Sequence, residues 1–482
     1  MRRLATLLTQ EEVEAVHGAT LEILQTVGLM IQNREARERY AAHGCRVDGE
    51  GGIVRFPRAV VEEHRQAFPP TFTFHGRDSD TDRTIPSDGP LMVTGSAAPD
   101  IIDPVTGQVR RAESADIERI AHLINELPGY DIFSISTTAV DAPRGRQGLV
   151  RFYSALKHCL KPIRASAPDL KDADDVLEMG ALIAGSEAAF WERPFMTFVY
   201  CATISPLTMD VDSTERLMRF AERGIPSQGV VTPNGGVSAP LSLLSTLAVA
   251  NAEFLAQSVL VQMSRPGTPI LYDALPTVSD MRTGAFAPGG IESGMLCMGC
   301  AQMARFYGVP SAGFAGLTNA KVNDAQAGYE TGLSTMAAML GGLDLLAMGG
   351  LLDALMAFDF GKAVADHEVA LMLRRVKRGL EFSPDNLALD LIAEVGPSGI
   401  FTDRRHTLQR MRTEALLPQI ADRRPRDQWA ADGSQDAQSR ALAKANEILR
   451  RDNPARFSPE IDAAIWSRFQ NELARKRGGE NR

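Results

Sequence analysis

Gly316-Leu-Thr-Asn-Ala-Lys-Val-Asn-Asp-Ala-Gln-Ala-Gly-Tyr-Glu330 is a polar stretch set between two apolar patterns. The run from Val309 to Phe314 feeds into it, and Ala327, Leu333, Met336, Ala337 and Leu340 follow it at helical spacing. The stretch reads as strand, loop and helix, with Asn323 or Asp324 as the helix N-cap. The loop offers amide, ammonium, carboxylate and backbone groups at the C-terminal end of a strand, where α/β enzymes place their chemistry. A capped βα turn with no further role is the alternative reading.

The same rhythm extends on both sides. From Ser114 onward, strands are expected at 131–137, 162–166, 195–203, 226–231, 269–272, 309–314 and 343–348. Helices are expected at 145–159, 170–187, 213–222, 240–263, 291–307, 324–340 and 366–379. Strands separated by helices imply a parallel sheet with right-handed crossovers. Seven such units, with an eighth strand expected after Gly379, give an α/β fold of the (β/α)8 TIM type. There is no Gly-x-Gly-x-x-Gly fingerprint and no Gly-x4-Gly-Lys phosphate loop.

Ahead of the barrel, Thr9 and Glu12 have capping-box spacing before an amphipathic helix that stops near Gly28. Short alternating segments follow, among them Thr71-Phe-Thr-Phe and Leu91-Met-Val-Thr-Gly-Ser. The expected division is a small α+β lobe over 1–113, the barrel over 114–405 and a charged helical extension over 406–482. The extension carries Trp429 and Trp466, and its basic tail beyond Ala474 is expected to fray.

The chain has 482 residues, 44% of them hydrophobic, enough for a large core. Its net charge of −9 is spread among mixed acidic and basic residues, which argues against a nucleic-acid surface or an anionic membrane as partner. The start, Met-Arg-Arg-Leu-Ala-Thr-Leu-Leu, runs at once into Gln10-Glu11-Glu12 and does not read as a signal peptide. The apolar run from Gly341 to Phe360 is broken by Asp344, Asp353 and Asp359, so it reads as a barrel strand with its loop. Five cysteines form no disulfide framework, and a reduced, cytoplasmic protein is expected.

The runs Thr318-Asn319-Ala320-Lys321 and Asp324-Ala-Gln-Ala-Gly-Tyr-Glu330 resemble the active-site loop of the trimethylamine methyltransferase family, the corrinoid-dependent methylamine enzymes. In the founding members pyrrolysine follows the Thr-(Asp/Asn)-Ala-Lys run; here Val322 stands in its place. Further similarity lies in Glu11–His17, Asp103, Arg110 or Arg111, Asp116, Ser205-Pro206-Leu207, Gly235-Gly236, Asn251-Ala-Glu253 and Gly290-Ile-Glu292. Ser398 and Thr402-Asp403 depart from the family pattern near His406.

The resemblance implies methyl transfer from an amine nitrogen to Co(I) of a corrinoid held on a separate small protein. A neutral tertiary amine would leave as an amide anion unless first made cationic, and pyrrolysine is thought to provide that activation. Val322 can form no adduct and move no proton. The substrate is therefore expected to be a quaternary amine, such as a betaine-, carnitine- or choline-like compound, which leaves as a neutral tertiary amine. A quaternary ammonium is held by aromatic faces and carboxylates. Tyr200, Tyr272, Phe314, Phe358 and Phe360 are the expected aromatic walls, with Asn234, Asn319, Val322 and Glu330 as further substrate-binding positions. Asp273 and Asp359 are further candidate carboxylates, and core packing is the alternative for each aromatic. Asp324, Lys321 and His367 are the expected catalytic side chains.

No Asp-x-His-x-x-Gly corrinoid motif occurs in the chain, so it is expected to bind no cofactor itself and to meet cobalamin on a corrinoid-binding partner. Cys297-Met-Gly-Cys300 is a lone pair in an apolar helix, and no metal is expected there. A homo-oligomer is expected. The competing readings are an unrelated barrel enzyme such as a lyase, or a non-catalytic quaternary-amine-binding protein.

Overall fold

Three residues, Leu91–Val93, buried on both faces, open an eight-stranded parallel barrel in the computed structural model. The structure describes residues 5–49 and 51–474. The first four residues and the tail beyond Ala474 lie outside the described residues. In chain order the barrel strands are β1 (Leu91–Val93), β2 (Phe133–Ser134), β3 (Ile163–Ala165), β4 (Met196–Tyr200), β5 (Gln228–Val231), β6 (Tyr272–Ala274), β7 (Ser311–Gly316) and β8 (Leu345–Met348). Their helices are α1 (Ser114–Glu126), α2 (Gln147–Leu156), α3 (Leu170–Ala184), α4 (Val211–Glu222), α5 (Leu243–Ser264), α6 (Ile291–Tyr307), α7 (Ala325–Leu340) and α8 (Phe360–Arg378). Each strand pairs in parallel with the next, and β8 pairs with β1 through Leu345↔Leu91. Closure comes from a parallel bridge between Val93 and Ile132. The amides of Asp131 and Ile132 donate to the Met92 carbonyl there, at 2.8 and 3.2 Å.

The eighth strand is thus not after Gly379, as the sequence reading expects. It is β1, which that reading places in the N-terminal lobe. Leu91, Met92 and Val93 form a continuous apolar run buried on both faces, the mark of a parallel strand covered by helices. Beyond α8 the chain forms the short helices Pro384–Leu387, Leu389–Val395 and Arg405–Arg410, which bury none of their residues. Phe382, Leu389, Ile392 and Ile400 there are exposed.

The N-terminal segment clasps one side of the barrel. Its helix Gln10–Glu22 has the capping box, with Thr9 N donating to Glu12 Oε2 and Glu12 N donating to Thr9 Oγ1. His17 sits between the lobe and the barrel, its ring nitrogens 2.9 Å from Tyr307 Oη and 2.8 Å from Glu62 Oε1. The small sheet of Leu29–Ile31, Arg46–Val47 and Ile53–Arg55 takes a fourth strand, Thr208–Met209, from the loop after β4. On the other side the extension docks through carboxylates. Glu368 of α8 accepts the amides of Gln419, Ile420 and Ala421 at 2.6–2.9 Å. Asp462 accepts Tyr153 Oη and Lys157 Nζ, each at 2.7 Å. Among the described residues, α5 is long and apolar enough to cross a membrane, but it is largely buried within the helix layer.

Candidate active site

The loops leaving the C-terminal ends of the strands are knitted into one rim. Asn234–Gly235 after β5 pairs with Thr277–Val278 after β6. The loops after β6 and β7 meet at Asn319, whose Oδ1 accepts Gly289 N and whose Nδ2 donates to Phe286 O, both at 2.9 Å. A Cβ on Gly289 would lie 2.5 Å from Glu330 Oε2, so this close approach needs glycine. The loops after β7 and β8 meet where Lys321 Nζ lies 3.0 Å from Asp353 Oδ1. Asp353 N also donates to Ala320 O, and Ala354 N to Thr318 O. Asp353, Ala354 and Leu355 have φ of 51°, 52° and 78° in succession, a left-handed run that costs non-glycine residues energy. The loop after β8 then pairs, through Ala357–Phe358, with Asp100–Ile102 after β1.

Within this rim the loop of residues 318–324 is braced by one carboxylate. Glu330 Oε2 accepts Thr318 Oγ1 at 2.5 Å and Asn319 N at 2.8 Å, while its Oε1 accepts Gln326 Nε2 at 3.0 Å. Asp324 caps α7, its Oδ1 accepting the amides of Gln326 and Ala327. Lys321 Nζ also donates to Asn319 O at 2.7 Å. Asn234 Oδ1 lies 3.2 Å from Ser279 Oγ. Val322 stands at the loop tip with 59% of its surface exposed.

The structure brings Asn234, Asn319, Lys321, Val322, Asp324 and Glu330 together on the rim, and separates the rest. Tyr200 packs outward on Phe220 of α4 and bonds Ser227 Oγ at 2.9 Å. Tyr272 stacks on Phe254 of α5 with centroids 4.1 Å apart, and its hydroxyl donates to Asn251 Oδ1. Both are large side chains on the helix-facing side of their strands, so they fill the layer between barrel and helices and wall no mouth. Phe358 and Phe360 meet edge to face at 5.5 Å, and the Arg119 guanidinium lies over Phe360. Phe314 is buried in the core where an irregularity breaks the register of β7 between Gly313 and Gly316.

His367 is likewise away from the rim. It lies two turns into α8, 3% exposed, and its Nδ1 accepts Gly129 N at 2.9 Å. That bond needs an unprotonated Nδ1, and burial pulls the pKa down to about 4. Because the folded pKa lies below the unfolded value of about 6.5, the unfolded chain binds the extra proton. The His367 contribution is therefore present above about pH 6.5 and is lost as pH falls toward 4, about 3 kcal/mol in all. Urea unfolding between pH 4 and 7 should show a flatter pH dependence for His367→Gln than for the parent; identical slopes would refute this.

The barrel lumen holds Arg164 and Gln228, which the sequence reading missed, beside Asp273, which it names as a candidate carboxylate. Arg164 of β3, Gln228 of β5 and Asp273 of β6 are each fully buried. Arg164 Nη1 donates to Asp273 Oδ2 at 3.0 Å and to Gln228 Oε1 at 3.2 Å. Two strands separate β3 from β6 in the sheet, so this contact crosses the lumen. A second buried carboxylate, Glu253 of α5, accepts Ser205 Oγ at 2.7 Å and Leu207 N at 2.9 Å, and burial pushes its pKa up to about 7. Cys297 and Cys300 are buried in α6, and no group of three or more metal-ligating side chains occurs among the described residues.

The family model described as trimethylamine methyltransferase (MTTB) matches residues 2–478. The chain belongs to the trimethylamine methyltransferase family. It is 34% identical over 465 residues to a glycine betaine methyltransferase of Desulfitobacterium hafniense strain Y51, covering 95% of both chains. It is 30% identical over 463 residues to the trimethylamine methyltransferase MttB of D. hafniense DSM 10664 / DCB-2, covering 95% of this chain and 92% of that one. Among solved structures, a dihydropteroate synthase from Thermus thermophilus matches 64% of this chain and all of its own, at 14% identity and a TM-score of 0.35. The family and the barrel together support a methyltransferase that draws on methylated amines.

Proposed function

We infer that this enzyme transfers a methyl group from a quaternary amine to the Co(I) corrinoid of a partner protein. One observation carries the reading: the loop that resembles the family's active-site loop lies on the C-terminal rim of the barrel, with Val322 exposed in it. A valine offers no electrophile and no acid. A quaternary nitrogen needs neither, because the electron pair of the breaking C–N bond stays on a neutral amine while cobalt takes the methyl. The chain's task is to orient one N–CH3 bond toward the acceptor and to exclude water. The hydrogen-bonded rim suits that task, since it fixes loop position without any free acid or base at the tip. The glycine betaine methyltransferase named above supports the quaternary class. The corrinoid is the methyl-accepting co-substrate, brought by its own protein, and the working location is the cytoplasm.

The test is a single turnover of purified enzyme, quaternary amine and reduced corrinoid protein, followed by methyl-cobalt absorbance. Its appearance at a rate that scales with enzyme supports the reading, and its absence across betaine-, carnitine- and choline-like compounds refutes it. Val322→Ala should leave that rate within about tenfold, because truncating one exposed side chain costs about 1.4 kcal/mol at most. A loss of a thousandfold would show that Val322 does more than replace a reactive residue.

A further inference from the structure

We propose that the Arg164–Gln228–Asp273 layer is the floor of the substrate site, and that Arg164 grips a carboxylate carried by the quaternary amine. This rests on the function proposed above and narrows its substrate to zwitterions of the betaine type.

Among the described residues, Arg164 Nε and Nη2, Gln228 Nε2 and Asp273 Oδ1 are buried without a hydrogen-bond partner. Buried polar atoms are nearly always satisfied, so four orphans in one layer point to something that belongs there. The chemistry of the orphans is specific. Arg164 spends Nη1 on Asp273 and Gln228. Its free edge is the Nε–Nη2 side, two parallel N–H groups that match the two oxygens of a carboxylate. Gln228 Nε2 adds a third donor. Asp273 Oδ1 is the one orphan acceptor, and it places negative charge under a cation. A small zwitterion complements this set, with its anion on the guanidinium and its ammonium above.

The layer itself is closed to solvent, and the lumen opens above it. Side chains alternate along a strand, so Ser166 shares the luminal face with Arg164, Cys201 with Thr197, and Thr232 with Gln228. Ser166 and Cys201 are exposed and Thr232 is half-buried, whereas the residues below them are buried. The lumen therefore opens two residues above Arg164, about 6.6 Å higher at strand rise. That is the scale of a small betaine standing with its carboxylate down and its N-methyl groups toward the loop of residues 318–324.

Calorimetric titration of the full chain with glycine betaine and with choline tests this, because the pair differs in carrying a carboxylate or a hydroxymethyl group. The expected result is binding of glycine betaine at least thirtyfold tighter than choline. Arg164→Lys keeps a positive charge beside Asp273 but loses the fork, and it should bring the ratio to within threefold of unity. A merely structural arginine would weaken both ligands alike and leave the ratio intact, which would overturn the proposal. So would equal affinities in the parent chain, the outcome if the floor holds solvent only. If Arg164→Lys fails to fold, the parent ratio still decides. Methyl transfer from choline with none from glycine betaine would sink this inference and leave the proposed function standing. Failure of every quaternary amine to bind or react would remove both.

Discussion

Asp366→Ala should destabilise the protein by about 3–5 kcal/mol, the largest single loss expected from the helix layer. Lys362 Nζ lies 2.6 and 2.8 Å from the two Asp366 oxygens and 2.9 Å from Thr331 Oγ1, with both charged side chains almost wholly buried. Removing the carboxylate strands an ammonium in the interior. It also takes the acceptor from Gly350 N, which sits 2.9 Å from Asp366 Oδ2 at the start of the loop after β8. Gly349 and Gly350 have φ of 101° and 79°, and a Cβ on Gly349 would lie 2.2 Å from Tyr130 Oη, so this turn has little freedom to relax. The buried pair itself need not be favourable, since apolar replacements of such pairs are often neutral. Lys362→Met combined with Asp366→Ala should therefore recover more than half of the loss. Urea unfolding of the two variants measures both effects; a double variant no more stable than Asp366→Ala would show that the stranded charge is not the cause.

The second large effect belongs to the rim. Glu330→Ala should slow methyl transfer about a hundredfold while costing only about 1–2 kcal/mol of stability. The carboxylate holds Thr318, Asn319 and Gln326 at once, and without it the start of the loop of residues 318–324 loses the brace that ties it to α7. A shift of about 1 Å in a positioning element suffices for such a loss. Glu330→Gln keeps one acceptor and should fall between the two. Single-turnover rates compared with urea midpoints separate the effects; a rate loss no larger than the stability loss implies would count against a positioning role.

Much of this architecture is legible in the sequence. Seven apolar runs separated by helical periodicity give the parallel barrel, and the stretch from Gly316 to Glu330 gives the strand, the loop and the helix capped by Asp324. Leu91–Val93 is hard to read because three apolar residues have no period and sit among the short strands of a lobe. The tyrosines mislead for a different reason. Sequence position places Tyr200 and Tyr272 at strand ends, but the phase of a short buried strand, which decides lumen or helix layer, is set by packing on Phe220 and Phe254. His367 sits between Asp366 and Glu368 in a charged triplet, and only the fold shows Gly129 against its ring. Arg164 carried a usable signal. A charged residue between Ile163 and Ala165 in a strand expected to be buried on both faces demands a partner, and Gln228 and Asp273 occupy comparable places in their own strands.

The central claim is that the loop bearing Val322 serves a substrate already carrying its positive charge. It is tested most directly by competition. Enzyme and reduced corrinoid protein are mixed with equal amounts of trimethylamine and a quaternary amine, only one of which carries deuterated methyl groups, and the methyl group on cobalt is read by mass. The account predicts that the methyl comes from the quaternary amine alone, whichever compound carries the label. Comparable methyl groups from trimethylamine would contradict it.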